Sequence, residues 1–320
     1  MEKVEGRNQT PVSKFLLLGF GNDPELQPLL FLVFLMIYLA TVAGNILIFV
    51  LVLTDRQLHT PMYFLLQNLA CVELCFSSTI LPRLLASLLT GDRTISVNSC
   101  LVQLYFFGVL STTENVLLTA MSYDRYVAIC QPLRYTALMN SQVGCLLVAA
   151  SWIISFVICT IVHNFQFQLT FCDANEIDHF FCEFTSLLKL SCSDTKILQK
   201  VAFVCGALGT LGPFLLTLAS YVCIVATILR IPSTTGKKKA FSTCSSHLLV
   251  VTLDYMMGIN VYVVPIVNNA KVPKKIFSIF CTVMSPLAYP IIYCLRNKEV
   301  NKSLRKAFHK LVALRNGQKI

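Results

Sequence analysis

A chain of 320 residues with 55% hydrophobic and only 13% charged side chains, at a mean hydropathy of +0.68, is more apolar than a soluble domain of this length requires. Its net charge of +10 is distributed between apolar runs and forms no stripe on a soluble domain, which argues against a nucleic-acid-binding protein. Uncharged runs of about twenty residues suit membrane-spanning helices and exclude the short alternating strands of a barrel, so the expected fold is all-α.

Taken in chain order, residues 1–25 mix Glu2, Lys3, Glu5, Arg7 and Lys14 with one short apolar run, Phe15 to Leu18. No cleavable signal peptide is expected there, and the first span should direct insertion itself. Residues 29–54 carry no charge, and at ~1.5 Å per residue they cover a hydrocarbon core of ~30 Å with room for tilt. A second span runs from Pro61 to Pro82, interrupted by Glu73, and a third from Cys100 to Tyr123, interrupted by Glu114. Residues 143–162 make the fourth, and 201–229 an uncharged fifth. The sixth extends from Ala240 to Val264 around Asp254, and the seventh from Ile276 to Leu295. Most of the 14 cysteines fall inside these runs, where a thiol behaves as a small hydrophobe.

Past the seventh span, Asn297 to Leu314 sets Val300, Leu304, Phe308, Leu311 and Val312 among basic residues at helical spacing, the pattern of an amphipathic helix on an anionic lipid surface. The division is then an N-terminal segment 1–25, a seven-transmembrane helix bundle 26–296, and a short amphipathic helix with its tail, 297–320. If the N-terminus is outside, the inner segments hold fifteen of the 26 Lys and Arg residues, from Arg56, Arg125 and Arg134 through Lys237–Lys239 to Lys319, against the acids Asp55, Asp124 and Glu299. That asymmetry predicts an extracellular N-terminus and a cytoplasmic C-terminus. The triplet Asn8-Gln9-Thr10 is a glycosylation acceptor on the same outer side.

Several motifs now narrow the family. The run Met121-Ser122-Tyr123-Asp124-Arg125-Tyr126-Val127-Ala128-Ile129-Cys130, followed by Pro132-Leu133-Arg134-Tyr135, resembles the MAYDRYVAIC and PLxY signature of odorant receptors within the rhodopsin-like G-protein-coupled receptors. Gly44-Asn45, the run Leu58 to Leu65, Ser220-Tyr221, the run Lys239 to His247 and the run Pro290 to Lys298 match the same family at the expected helix ends. There are two departures. The family usually has Asn before the proline of the seventh span, where this chain has Tyr289, and Phe-Tyr-Gly in the sixth, where it has Asp254-Tyr255-Met256. An intramembrane Asp is costly, so Asp254 is expected to face inward, held neutral by its surroundings or used functionally.

The resemblance implies a plasma-membrane receptor that takes a small volatile odorant in its outer half. It also implies coupling to a stimulatory, olfactory-type G protein that raises cyclic AMP. No chemistry on the ligand and no cofactor are expected. The resemblance assigns ligand contacts to Phe107, Gly108, Ser111, Thr112 and Asn115 in the third span, and to Cys205, Gly206 and Gly209 in the fifth. It adds Tyr255, Ile259 and Tyr262 in the sixth, and Ile279 and Thr282 in the seventh. No acid stands above Glu114 on the third span, which argues for a neutral, mostly apolar ligand. The implied coupling residues are Asp124, Arg125, Tyr126, Tyr221, His247 and Tyr293. Arg125 would otherwise only snorkel at a helix end.

Cys100, Cys172, Cys182 and Cys192 lie on the outer side, where disulfides form, and spacing alone leaves three pairings open. The resemblance selects Cys100 with Cys182 and Cys172 with Cys192. Glu73 and Glu114 are expected to point into the bundle, and the resemblance implies that they lie close together, near Asn45 and Ser285. Two such carboxylates either share a proton or hold Na⁺ as an allosteric ion. A transporter would show repeated halves and broken helices, and this chain has an odd span count and no repeat. An intramembrane enzyme would have only Glu73, Glu114 and Asp254 to work with and no HExxH-type array, and a peptide receptor would show a longer, more acidic N-terminus.

Overall fold

The structure, a computed structural model, describes residues 12–21, 23–172, 174–262 and 274–315. Asn8 and Lys319 lie outside the described residues, as do the side chains of Lys239, Thr243, Ile259, Tyr262 and Leu311.

Among the described residues, seven long helical segments make the bundle. α1 is Leu26–Thr54, α2 Pro61–Thr90, α3 Val97–Cys130 and α4 Ser141–Gln166. α5 is Lys196–Arg230, with a π-helical turn at Ala207–Leu211. α6 is Thr234–Tyr262, and α7 is built from Lys274–Ile279, a π-helical turn Phe280–Met284 and Ser285–Arg296. The amphipathic α8 is Lys298–Arg315. Among the described residues, α1 to α5 are each long and apolar enough to cross a membrane, and Phe280–Arg296 is a shorter apolar helix. α6 is less apolar because it opens with Lys237, Lys238, Lys239 and a hydroxyl-rich run and carries Asp254.

Helix ends follow local chemistry. α2 starts with Pro61 at its first position, where the missing N–H costs nothing, and stops at Gly91, whose φ of +75° is the left-handed conformation that glycine adopts without strain. Contrary to the sequence reading, α2 does not end at Pro82 but continues through it to Thr90. Ser96 caps α3 by accepting from the Ser99 amide at 3.1 Å, and Asn140 caps α4 through the Val143 amide at 3.0 Å. Both π turns lie just before a proline, Pro213 in α5 and Pro286 in α7. A proline ring clashes with the carbonyl four residues back, which here falls inside each widened turn.

α3 is the inner post of the bundle, packed against α2, α4, α5 and α6, while α1 closes the ring between α2 and α7. The main core gathers Leu65, Leu69, Val72, Leu117, Leu118, Met121, Val250, Tyr289 and Tyr293. Outward positions such as Leu32, Met36, Leu146, Ile153, Leu216 and Val222 are exposed and apolar, the inverse of a soluble protein and suited to lipid. α8 docks on α1 and α7: Val300 is buried and Leu304 partly so, Lys306 pairs with Asp55 at 3.2 Å, and Phe308 stays exposed.

The bundle is all-α as expected, but its outer end adds a small sheet that sequence reading did not foresee. β1 (Lys14–Leu17) pairs antiparallel with β2 (Thr94–Ser96), Phe15 opposite Ile95, and parallel with β3 (Glu176–Ile177). Phe15, Leu17, Ile95, Phe171, Ile177 and Leu187 bury a second core beneath it. Cys100 is bonded to Cys182, and Cys172 to Cys192, so the long loop before α5 is tied to α3 and closed on itself. The Lys275 ammonium, on α7, reaches the Gly19 carbonyl at 2.9 Å and the Asp178 carboxylate.

Candidate functional site

Three levels of polar side chains are stacked along α3. At the outer level some of the wall residues expected from the sequence make contacts between helices. Phe107 meets Phe76 and Phe181 with ring centroids 5.2 Å apart in each pair, so the disulfide-held loop lowers an aromatic ring onto α3. Phe181 continues through Phe180 to Phe20 and Phe34. Gly209 lies so close to α3 that a Cβ there would be 3.1 Å from Thr112 Cγ2. Gly108 faces Cys159 of α4 in the same way at 3.3 Å, and the Thr112 hydroxyl lies 3.9 Å from Cys159 Sγ.

Cys159, with Cys205 nearby, belongs to this wall although no sequence motif marked it. Ser111 is half-buried, and its carbonyl accepts from the Asn115 amide at 2.9 Å. A Cβ on Gly206 would meet nothing within 4 Å, so that glycine stands apart from the contact. Tyr255 sets its ring edge-on to Phe214 at 4.8 Å with its hydroxyl beside Thr217 and Thr119. Ile279 packs beside Phe34, Ile80 and Val283, and the buried Thr282 donates to the Ser278 carbonyl at 2.7 Å. A small cavity of about 10 Å³, lined by Leu17, Phe20, Leu84, Arg93 and Phe180, lies further out under the sheet and holds none of these wall residues.

At the middle level stand the acids. Glu73 of α2 is 1% exposed, and its two carboxyl oxygens face Glu114 without a hydrogen bond of normal geometry. Glu114 accepts from the Tyr289 hydroxyl at 2.8 Å, and the same hydroxyl lies 3.3 Å from Asp254 Oδ1. Asp254 therefore faces inward, and the two residues that depart from the family pattern meet one another. The Asn45 side-chain amide donates to the carbonyls of Thr41 and Pro286, both at 3.0 Å, and stitches α1 to α7. Ser285 donates to the Phe280 carbonyl at 3.4 Å.

At the inner level the Arg125 guanidinium folds back on its neighbour, Nε donating to Asp124 Oδ2 at 2.9 Å and an Nη reaching the same oxygen. Asp124 is fully buried, and Tyr135 of the following loop donates to its other oxygen at 2.9 Å. Partial burial and the Asp124 carboxylate push the Tyr135 phenol above its ordinary range, so it stays a donor at neutral pH. Tyr221 and His247 Nδ1 are 2.7 Å apart, joining α5 to α6. Tyr126 packs on Tyr221 and Ile224, and the buried Tyr293 hydroxyl makes no hydrogen bond among the described residues. Arg125 and Tyr221 are each engaged elsewhere, and no hydrogen bond joins them.

A family model described as olfactory receptor matches residues 34–311. Over 310 residues, 97% of this chain and 98% of the relative, the sequence is 48% identical to olfactory receptor 10A5 of Homo sapiens. It is 45% identical over 305 residues to olfactory receptor 1E5 of Pan troglodytes, covering 95% and 97% of the two chains. It is 46% identical over 303 residues to olfactory receptor 1f45 of Rattus norvegicus, with the same coverage.

Proposed function

The chain belongs to the olfactory receptor family, and from that premise we propose that it binds a small, mostly apolar volatile and activates a stimulatory, olfactory-type G protein to raise cyclic AMP. The odorant occupies the outer half of the bundle, between Phe107, Ser111 and Thr112 of α3, Cys205 and Gly209 of α5, Tyr255, Ile259 and Tyr262 of α6, and Ile279 and Thr282 of α7. A few hydroxyls in an apolar wall orient a neutral ligand through one or two hydrogen bonds. The protein does no chemistry on it. The odorant acts by preferring the state in which α6 has moved outward, because equal affinity for both states would shift nothing.

The observation that carries this reading is the pair of separate restraints at the inner end. Arg125 is held by Asp124, itself held by Tyr135, while Tyr221 is held by His247 on α6. Outward movement of α6 draws His247 away, frees Tyr221 to meet Arg125 and opens the inner face to the G protein. Arg125→Ala is expected to abolish the cyclic-AMP response to an activating odorant with surface expression unchanged. A normal response in that variant would sink the assignment.

The acids of the middle level supply an ion site in the same scheme. Glu73 and Glu114 lie side by side in the buried interior with Glu73 short of protein hydrogen bonds, which suits either a shared proton or Na⁺. If sodium binds there, raising its concentration shifts the odorant dose–response of the wild type and not that of Glu114→Gln. Equal insensitivity of both removes the ion and leaves the shared proton. The receptor sits in the plasma membrane with its N-terminus outside, glycosylated at Asn8, and with α8 against the inner leaflet.

A further inference from the structure

Among the described residues, the side-chain hydrogen bonds that tie α6 to the rest of the bundle include His247 to Tyr221 near the inner end and Asp254 to Tyr289 in the middle. The middle tie involves three helices, because the Tyr289 hydroxyl of α7 also donates to Glu114 of α3. A phenol carries a single hydrogen. With Glu114 at 2.8 Å and Asp254 at 3.3 Å from the same oxygen, that hydrogen is either shared between the two acceptors or supplemented by one carboxyl that brings its own hydrogen and donates back to the phenol oxygen. Glu73 of α2, Tyr255 of α6 and Cys281 of the π turn in α7 are further titratable groups facing these carboxyls. Tyr289 is 2% exposed and Glu114 6%, so both contacts are made away from bulk solvent.

We propose that Tyr289 and Asp254 are a matched pair that latches α6 to α3 and α7 in the resting protein, and that this latch sets the odorant-free activity. Tyr289 is a positioning residue here: it holds Asp254, and through it α6, against Glu114. Neither side chain suits its place alone. Without the phenol, Glu114 and Asp254 lose the donor that joins them, and without the carboxylate the phenol loses its acceptor on α6. The proposal rests on the receptor reading above only for its signalling readout.

The test is a cycle of Asp254→Leu, Tyr289→Phe and the double variant, with Asp254→Asn as the variant that keeps a hydrogen-bonding group. Odorant-free cyclic AMP is measured per receptor at the cell surface, and melting temperature on each purified full-length protein. The latch predicts a several-fold rise in odorant-free signalling for either single change, no further rise in the double variant, and near-wild-type signalling for Asp254→Asn. Melting temperatures should be non-additive in the same way. Unchanged basal signalling, additive effects, or Asp254→Asn behaving like Asp254→Leu overturns the latch. If the wild type raises cyclic AMP with no member of a broad odorant panel, the receptor reading fails by itself. The melting cycle then decides the pairing alone, additive shifts overturning it.

Discussion

Two glycines show how differently the same residue is used. A Cβ built on Gly44 would stand 3.0 Å from Pro290 Cγ and 3.1 Å from its Cβ, and a proline ring cannot swing aside, so α1 and α7 are as close as their backbones permit. Gly206 meets nothing within 4 Å. Gly44→Ala should therefore lower the melting temperature of the purified protein, at a cost of about 1–3 kcal/mol for forcing volume into a packed contact. Gly206→Ala should raise it, by up to about 1 kcal/mol of helix propensity. Equal shifts for the two variants would show that the approach of α1 to α7 is not limiting. Gly44-Asn45 was legible as a motif, but its partner in α7 was not, because spacing along one helix carries no record of which face another helix covers. Asp254 and Tyr289 were each legible as departures, and the signal that joins them was present: polar groups placed in hydrocarbon need partners, and each could supply the other.

The spans themselves were legible because membrane helices must satisfy their backbone internally and cover their outer faces with apolar side chains, which makes hydropathy nearly a fold assignment. The misplaced boundary in α2 has a physical cause. Pro82 removes one donor near the outer end, but Leu84, Leu85 and Leu88 still bury against α1 and the loop aromatics, and packing outweighs the lost bond. β1 was illegible for the opposite reason. Lys14–Leu17 is a four-residue strand whose partners lie at 94–96 and 176–177, and nothing local distinguishes it from any short apolar run. Cys159 and Phe181 entered the outer wall by the same kind of long-range contact. α8 was legible from its periodicity, and its docking follows from Asp55. The Gln57 amide, then Ser303 and Lys306, hold that carboxyl below the ordinary range against a small burial cost. A lowered carboxyl contributes above its unfolded pKa and stops contributing as pH falls through the lowered value, so the tie between the α1–α2 turn and α8 is complete at neutral pH.

Across the molecule the two ends differ in kind. The outer end is closed by a disulfide-tied sheet that engages three basic side chains, Arg93 on the carbonyls of Leu18 and Gly21, Arg83 on that of Thr94, and Lys275 on Gly19 and Asp178, while Lys14, Lys189, Lys196 and Lys200 have no carboxylate within ion-pair distance among the described residues. The inner end leaves Arg56, Arg230, Lys237, Lys238, Lys298 and Lys302 without a carboxylate within ion-pair distance among the described residues. Free cations beside apolar spans are what an anionic inner leaflet attracts, at roughly 1 kcal/mol each near the surface. The expected outcome is that an epitope tag before residue 1 is stained on intact cells and a tag after residue 320 only after permeabilisation. Glycosidase treatment should increase the mobility of the wild type and not that of Asn8→Gln. Staining of the C-terminal tag on intact cells would reverse the orientation, and with it the assignment of Arg125 to the G-protein side, because the lid and the arginine stand at opposite ends of the same α3.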